Sequence, residues 1–152
     1  MPSIEDLRKG WLKLEEITAE EVALALERAY EEWQAARELV ARFPSPAYEL
    51  AYNAMLLAAI ALLYSSGYRA RVERHHKTLV DFTEARAGTE HASLVDEFEK
   101  ARRKRHRTIY GQLKVSRREA EHIMEAARQF IAMVESLLEK DREGKGRSQD
   151  GG

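Results

Sequence analysis

Apolar residues recur at helical spacing along most of this chain. Between Thr18 and Pro44 they fall at Val22, Leu26, Ala29, Trp33, Ala36, Val40 and Phe43. Steps of four and three keep these positions on one face, so the spacing predicts a long helix with a single buried stripe. Thr18 and Glu21 form a capping box at its start, and Pro44 ends it. Upstream, Ser3 with Asp6 predicts a short first helix through about Leu14, weakened in its middle by Gly10. Downstream, Ser45 is placed to cap a third helix with Pro46 at its first position. From Tyr48 to Tyr64 that helix is apolar on nearly every side, which puts it at the centre of a bundle.

Gly67 is suited to close the third helix, and a looser segment, Tyr68 to Arg74, leads to a fourth carrying Leu79, Val80 and Phe82. Ala87-Gly88-Thr89 interrupts the chain. A fifth helix is predicted from about Glu90 to Tyr110, stopping at Gly111. Ser116 and Glu119 then cap a sixth, with the stripe Ala120, Ile123, Ala127, Phe130, Val134 and Leu137. β-branched residues are scattered, and no segment reads as a strand. The expected fold is all-α: an up-and-down helical bundle of four long helices plus short helices, spanning residues 1–140. Residues 141–152 are polar and glycine-rich and are expected to form a disordered tail.

Composition narrows this picture in three ways. A chain of 152 residues suits one domain. The absence of cysteine excludes disulfides and thiolate metal sites, and fits a reducing, cytoplasmic setting. The acidic N-terminus does not read as a targeting segment, and Ala54 to Tyr64 is shorter than the ~20 residues that span a bilayer. A soluble protein without a membrane partner is the expectation.

Charge is unevenly spread under a net value of -1. Met1 to Leu50 holds eleven acidic and six basic residues, whereas Lys100 to Arg118 holds nine basic residues and no acidic one. Such a segment is either a local anion site or a solvated face neutralised by neighbouring glutamates. The fifth helix sharpens the question. Leu94, Phe98, Ala101 and Ile109 share one direction, and Arg105 lies at the centre of their stripe. A guanidinium stays charged, so Arg105 must reach water, a carboxylate or an anionic ligand. Beside it Glu99, Arg103, His106 and Tyr110 form a ridge at steps of four, three and four. Adjacent His75 and His76 lack a surrounding ligand set, so neither a metal nor another cofactor is expected. Trp11 and Trp33 read as packing residues, and Asn53 as a satisfied core amide or a residue facing the cleft.

Several segments together resemble the HEPN family. Ala47-Tyr48-Glu49-Leu50-Ala51-Tyr52-Asn53-Ala54 through Tyr64 is similar to that family's tyrosine- and alanine-rich central helix. Gly67-Tyr68-Arg69 followed by His75-His76 is similar to the connection after it, and Phe82 to an aromatic closing the next helix. Arg105-His106-Arg107-Thr108-Ile109-Tyr110 lies where the family carries an arginine, a polar residue, three variable residues and a histidine. The last helix, with Ala120, Ala127 and Phe130, matches as well, so that the likeness runs over residues 19–139.

The resemblance implies a helical bundle that forms a homodimer, joining two copies of the motif in one cleft. Active members are metal-independent endoribonucleases, often toxins paired with a small nucleotidyltransferase antitoxin, and other members only bind. By this likeness Arg105 would hold the scissile phosphate, His106 would take the polar position, and Tyr110 would stand at the histidine position. Arg102, Arg103 and Arg107 would add phosphate or RNA contacts. Histidine titrates near neutral pH whereas a phenol has a pKa of ~10, so Tyr110 changes the proton chemistry the family relies on. In some relatives a tyrosine two residues past the histidine is adenylylated by the partner enzyme, and Tyr110 does not have that spacing. Two functions are therefore expected: a protein acting on RNA or nucleotide with ribonuclease chemistry, or a non-catalytic nucleotide- or partner-binding module of the same fold.

Overall fold

The computed structural model describes residues 2–150, with side-chain surroundings through residue 144. Its elements run α1 (Ile4–Gly10), β1 (Leu12–Leu14), α2 (Ala19–Leu39), α3 (Pro44–Ser65), β2 (Tyr68–Ala70), α4 (His75–Ala87), α5 (Ala92–Ile109) and α6 (Arg117–Asp150), with a 3-10 turn at Thr89–His91 before α5. The fold is an all-α bundle in which α3 is the axis, packed chiefly against α2 and α6. Twelve of its 22 residues are buried, from Ala47 to Leu63. Alanines at 51, 54, 58, 59 and 61 let neighbouring helices approach closely, while Tyr52, Met55, Leu62 and Leu63 fill the remaining space. By length and composition alone α3 is suited to cross a membrane; here two thirds of its apolar window is covered by the bundle.

Both expected capping boxes at the first two helices form. Ser3 Oγ accepts from the Asp6 amide and Thr18 Oγ1 from the Glu21 amide, with each carboxylate accepting in return from the cap's own N–H. Three sequence expectations need correction. The first helix stops at Gly10, and Leu12–Leu14 instead pairs antiparallel with Tyr68–Ala70, Leu12 facing Ala70. A three-residue strand offers no visible alternation, so the periodicity that found the helices could not find it. Ser45 is not the cap of α3: Phe43 holds that position without a side-chain bond, and Ser45 Oγ accepts from the Val115 amide. The tail expected to be disordered continues α6 as helix to Asp150, and Arg86 pairs with Asp141. Residues 151–152 lie outside the described residues.

Where α5 meets the core, Phe98 is fully buried between Tyr52 and Phe130, with ring centroids 5.9 and 4.9 Å away. Val95 and Ala101 extend that contact. Burial fades toward the C-terminal end, and Ile109, expected on the stripe, is 46% exposed. Gly111, at φ +71°, turns the chain toward α6 in a conformation that side chains rarely adopt.

Candidate functional site

The basic segment divides into charges that are paired and charges that are not. Glu99, on α5, accepts from Arg102 Nε and a terminal guanidinium nitrogen, both at 2.9 Å, and from Arg103 Nε at 3.0 Å. Lys77, on α4, reaches the same carboxylate at 3.5 Å and Asp81 at 3.2 Å. Arg74 completes the chain, 3.1 Å from Asp81 and stacked over Trp11. These bonds, the one from Arg102 first, hold the Glu99 carboxyl down to about 2. Arg102 and Arg103 of the basic segment are therefore neutralised within the protein. Lys100 pairs with Asp96, Lys104 with Glu119, and Arg117 with Glu121.

Arg105 differs from them. Among the described residues it has no carboxylate within ion-pair distance. Its guanidinium lies over the Tyr52 ring, 5.4 Å from the centroid. It also borders a cleft of about 300 Å³ lined by Pro46, Glu49, Leu50 and Asn53 of α3. Glu49 shares that cleft without closing an ion pair to Arg105, and Asn53 presents an amide there. An arginine held on an aromatic face beside an open cleft keeps its planar donor fork for a carboxylate or phosphate.

Tyr52 also meets His76, the second residue of α4. The Tyr52 hydroxyl is 2.7 Å from His76 Nδ1, and the two rings stack at 5.7 Å with 27° between their planes. Burial pushes the Tyr52 phenol well above its ordinary range. Burial, together with the positive charges of Arg105, His75 and Arg102, pushes the His76 imidazole down to about 4. Both groups are thus neutral at pH 7.

His106 and Tyr110 lie apart from this cluster. Their rings meet edge to face at 4.9 Å, as a spacing of four on a helix allows. Tyr110 caps the end of α5 and is 68% exposed. Position 106 is turned about 100° from 105 around the helix, and no hydrogen bond or ion pair among the described residues joins Arg105 to His106 or Tyr110. Of the six residues the sequence singled out, Arg102 and Arg103 converge on Glu99, Arg105 faces Tyr52, and His106 and Tyr110 share an exposed ridge. Arg107 is exposed and has no ion-pair partner among the described residues.

Sequence reasoning missed Tyr52 and His76 as members of the Arg105 surroundings. A polar-tipped ring one turn after Tyr48 in an otherwise apolar helix was the available signal, together with a histidine beginning the next helix. Among the described residues no group of three or more His, Asp or Glu side chains is arranged to hold a metal. A larger cleft, about 510 Å³ between α5 and α6, is lined by Tyr48, Lys100, Lys104, Arg118 and His122. There Lys104 is paired with Glu119, and His122 Nε2 lies 3.1 Å from Glu97.

A family model for the HEPN domain matches residues 22–137, about three quarters of the chain. This all-α bundle, with its conspicuous arginine on α5, is therefore a HEPN domain: the chain belongs to the HEPN family. The matched span begins in α2 and ends in α6, so α1 and β1 precede it. No curated protein matched the chain.

Proposed function

We propose that this protein recognises the phosphate of an RNA or nucleotide through Arg105, acting as a dimeric, cytoplasmic, non-catalytic HEPN module. The observation that carries the reading is the contrast on α5: Arg102 and Arg103 are neutralised by Glu99, while Arg105 is positioned by Tyr52 and, among the described residues, closes no ion pair. A buried aromatic face that orients a guanidinium without neutralising it suits an anion supplied from outside. Arg107, exposed near the end of the same helix, adds electrostatic attraction along an RNA backbone. The modest overall charge favours a local contact over a general RNA-coating surface.

Proton chemistry supports binding over cleavage. Attack of a 2′-hydroxyl on its neighbouring phosphate needs a base, and the departing 5′-oxygen needs an acid. By the family resemblance Tyr110 stands at the histidine position, and among the described residues no hydrogen bond or ion pair joins His106 to Arg105. One observation favours the second reading, a metal-independent endoribonuclease of the toxin type: the His106–Tyr110 ring contact, which places an imidazole beside a phenol on an exposed ridge. In a homodimer that ridge from one copy would approach Arg105 of the other. A nucleotidyltransferase antitoxin belongs to this second reading.

The deciding experiment mixes purified protein with a short labelled RNA in EDTA, measuring fluorescence anisotropy and cleavage together. Binding without cleavage, lost in Arg105→Ala, is the expected result. Cleavage lost in both Arg105→Ala and Tyr110→Phe would establish the ribonuclease instead.

A further inference from the structure

The cleft between α5 and α6 is framed by two bridges at different heights. Lys104 of α5 pairs with Glu119 of α6, and Glu97 of α5 meets His122 Nε2 of α6 at 3.1 Å. Glu97 and Lys104 are separated by about two turns of helix. Between them α5 carries Ala101, whose small side chain leaves the gap between the helices unfilled. Ala101, Ile123 of α6 and the ring of Tyr48 of α3 line the space, and all three are buried. The result is an apolar floor with charged walls, about 510 Å³ in volume, within the range of sites that hold small molecules.

Tyr48 is the group there that packing does not explain. It is only 5% exposed, yet its hydroxyl forms no hydrogen bond among the described residues. Nor is that hydroxyl sealed in. Among the described residues the one fully enclosed side-chain oxygen without a partner is Thr78 Oγ1. Tyr48 therefore opens, through the little surface it keeps, on the cleft that it lines. Burial, then the nearby Glu119 and Glu97 carboxylates, push the phenol well above its ordinary range. It keeps its proton and is a donor without an acceptor, a costly state for a group so little exposed. Both carboxylates are engaged elsewhere, Glu119 by Lys104 and Glu97 by His122. The rim supplies the complementary charge. Lys100 is held by Asp96, whereas Arg118, the second residue of α6, lines the cleft and closes no ion pair among the described residues.

We infer that this cleft binds a small organic anion with an apolar body, whose carboxylate or phosphate is met by Arg118 at the rim and whose neutral oxygen accepts from the Tyr48 hydroxyl at depth. The two glutamates disfavour a negative group on the floor, so the ligand's charge stays outermost and an uncharged carbonyl or ether oxygen reaches the phenol. Ala101 and Ile123 receive the apolar body. The inference does not rest on the Arg105 reading, because the two clefts share no lining residue.

Methylumbelliferyl phosphate is the probe, since its lactone carbonyl and its phosphate lie at opposite ends of a flat apolar ring system. Binding to the full chain is followed by probe fluorescence and by the methyl NMR signals of Ala101 and Ile123, which should both shift. Methoxycoumarin, which lacks the charge, and naphthyl phosphate, which lacks the carbonyl, should each bind roughly tenfold more weakly. Tyr48→Phe should weaken methylumbelliferyl phosphate roughly tenfold and leave naphthyl phosphate unchanged. Arg118→Gln should weaken the phosphate by a similar factor and leave methoxycoumarin unchanged. Carboxymethoxycoumarin compared with the phosphate then identifies which anionic head the rim prefers. Because the Tyr48 hydroxyl has no protein partner to lose, Tyr48→Phe should keep its thermal midpoint within about 1 °C of the parent.

A fall of several degrees in that variant would show that the hydroxyl serves the fold, and would overturn the proposal. Equal weakening of both phosphates by Tyr48→Phe would overturn it too. So would a probe that is lost in Arg105→Ala and leaves the Ala101 and Ile123 signals unmoved, because it then occupies the other cleft. Absence of binding by all four probes at about 5 mM, weaker than ~3 kcal/mol, would remove the site and leave the Arg105 reading untouched.

Discussion

Arg102 and Arg105 lie three residues apart on α5, yet they occupy opposite circumstances. Arg102 forms a two-point bond with Glu99, whose carboxylate also gathers Arg103 and Lys77 and links through Lys77 to Asp81. Arg105 rests on an aromatic ring beside a cleft and meets no carboxylate at ion-pair distance among the described residues. Identical side chains on one helix are thus divided by what their neighbours supply. Around Glu99 the charges close on one another, and Lys77, between Asp81 and Glu99, fastens α4 to α5. A charge oriented by a ring is available to an anion from outside. If this division is real, substitutions in the Glu99–Asp81 network should change stability, and substitutions around Arg105 should change binding.

The largest stability effect is expected at Asp81. It is 3% exposed and answers both Arg74 and Lys77. Asp81→Ala removes the buried carboxylate that Arg74 and Lys77 share while both cations keep access to water and Lys77 keeps Glu99, a loss of charge-assisted bonds that costs about 2 kcal/mol. Chemical denaturation should show a loss of that size. A change below about 1 kcal/mol would mean the network is solvated and the contrast with Arg105 is unfounded.

Arg105→Ala should do the reverse. Loss of its contact with Tyr52 costs about 0.5–1 kcal/mol of stability. Loss of a charge-assisted hydrogen bond to phosphate should weaken RNA binding roughly 10- to 100-fold, measured by anisotropy at fixed salt. Were stability to fall by several kcal/mol instead, Arg105 would be a structural residue like Arg102.

How far the sequence anticipated this depends on the signal each feature sends. The long helices were legible because burial imprints a period of 3.6, as in Val22 to Val40 and Ala120 to Leu137. The β1–β2 pair was not, because its register is set by a neighbour more than fifty residues away in the chain. The helical continuation beyond residue 140 was missed because composition alone argued for disorder, while the Arg86–Asp141 pair joins residues 55 apart. Arg105 itself was conspicuous as a charge on an apolar stripe. Its partners were not, since Tyr52, His76 and Arg105 come from three helices and meet only after packing. Spacing does separate Arg102 and Arg103 from Arg105, since Glu99 is three and four residues from the first two, within reach on a helix, and six from the third.

Acid should separate the two regions in sequence. His76 has a folded value of about 4, below its ordinary 6.5. The unfolded chain therefore takes up this proton first, and stability declines as pH falls from about 6.5 toward 4. Glu99 has a folded value of about 2 against an ordinary 4.5. Its contribution is complete above pH 4.5 and is lost as pH falls through about 2. Thermal unfolding across this range should show His76→Gln flattening the upper part of the decline and Glu99→Gln the lower part. If either variant flattens both parts equally, the two clusters titrate as one unit and the division between them fails.

The finest distinction lies at Arg103. It shares Glu99 with Arg102, yet its side chain is 74% exposed against 28% for Arg102. An exposed ion pair is screened by water and limited by the entropy of holding two long side chains together, so Arg103→Ala should cost less than about 0.5 kcal/mol. Binding provides the sharper comparison. With Glu99 absorbing its charge, Arg103 should contribute less to RNA affinity than Arg107, which has no such partner. The expected ranking at moderate salt is Arg105→Ala weakest, then Arg107→Ala, with Arg103→Ala closest to the parent. Because neutralised phosphates set the salt slope, Arg107→Ala should flatten it by about one contact while Arg103→Ala leaves it unchanged. Equal slopes for these two variants would show that the Glu99 pair opens when RNA arrives, making the network part of the interface rather than its support.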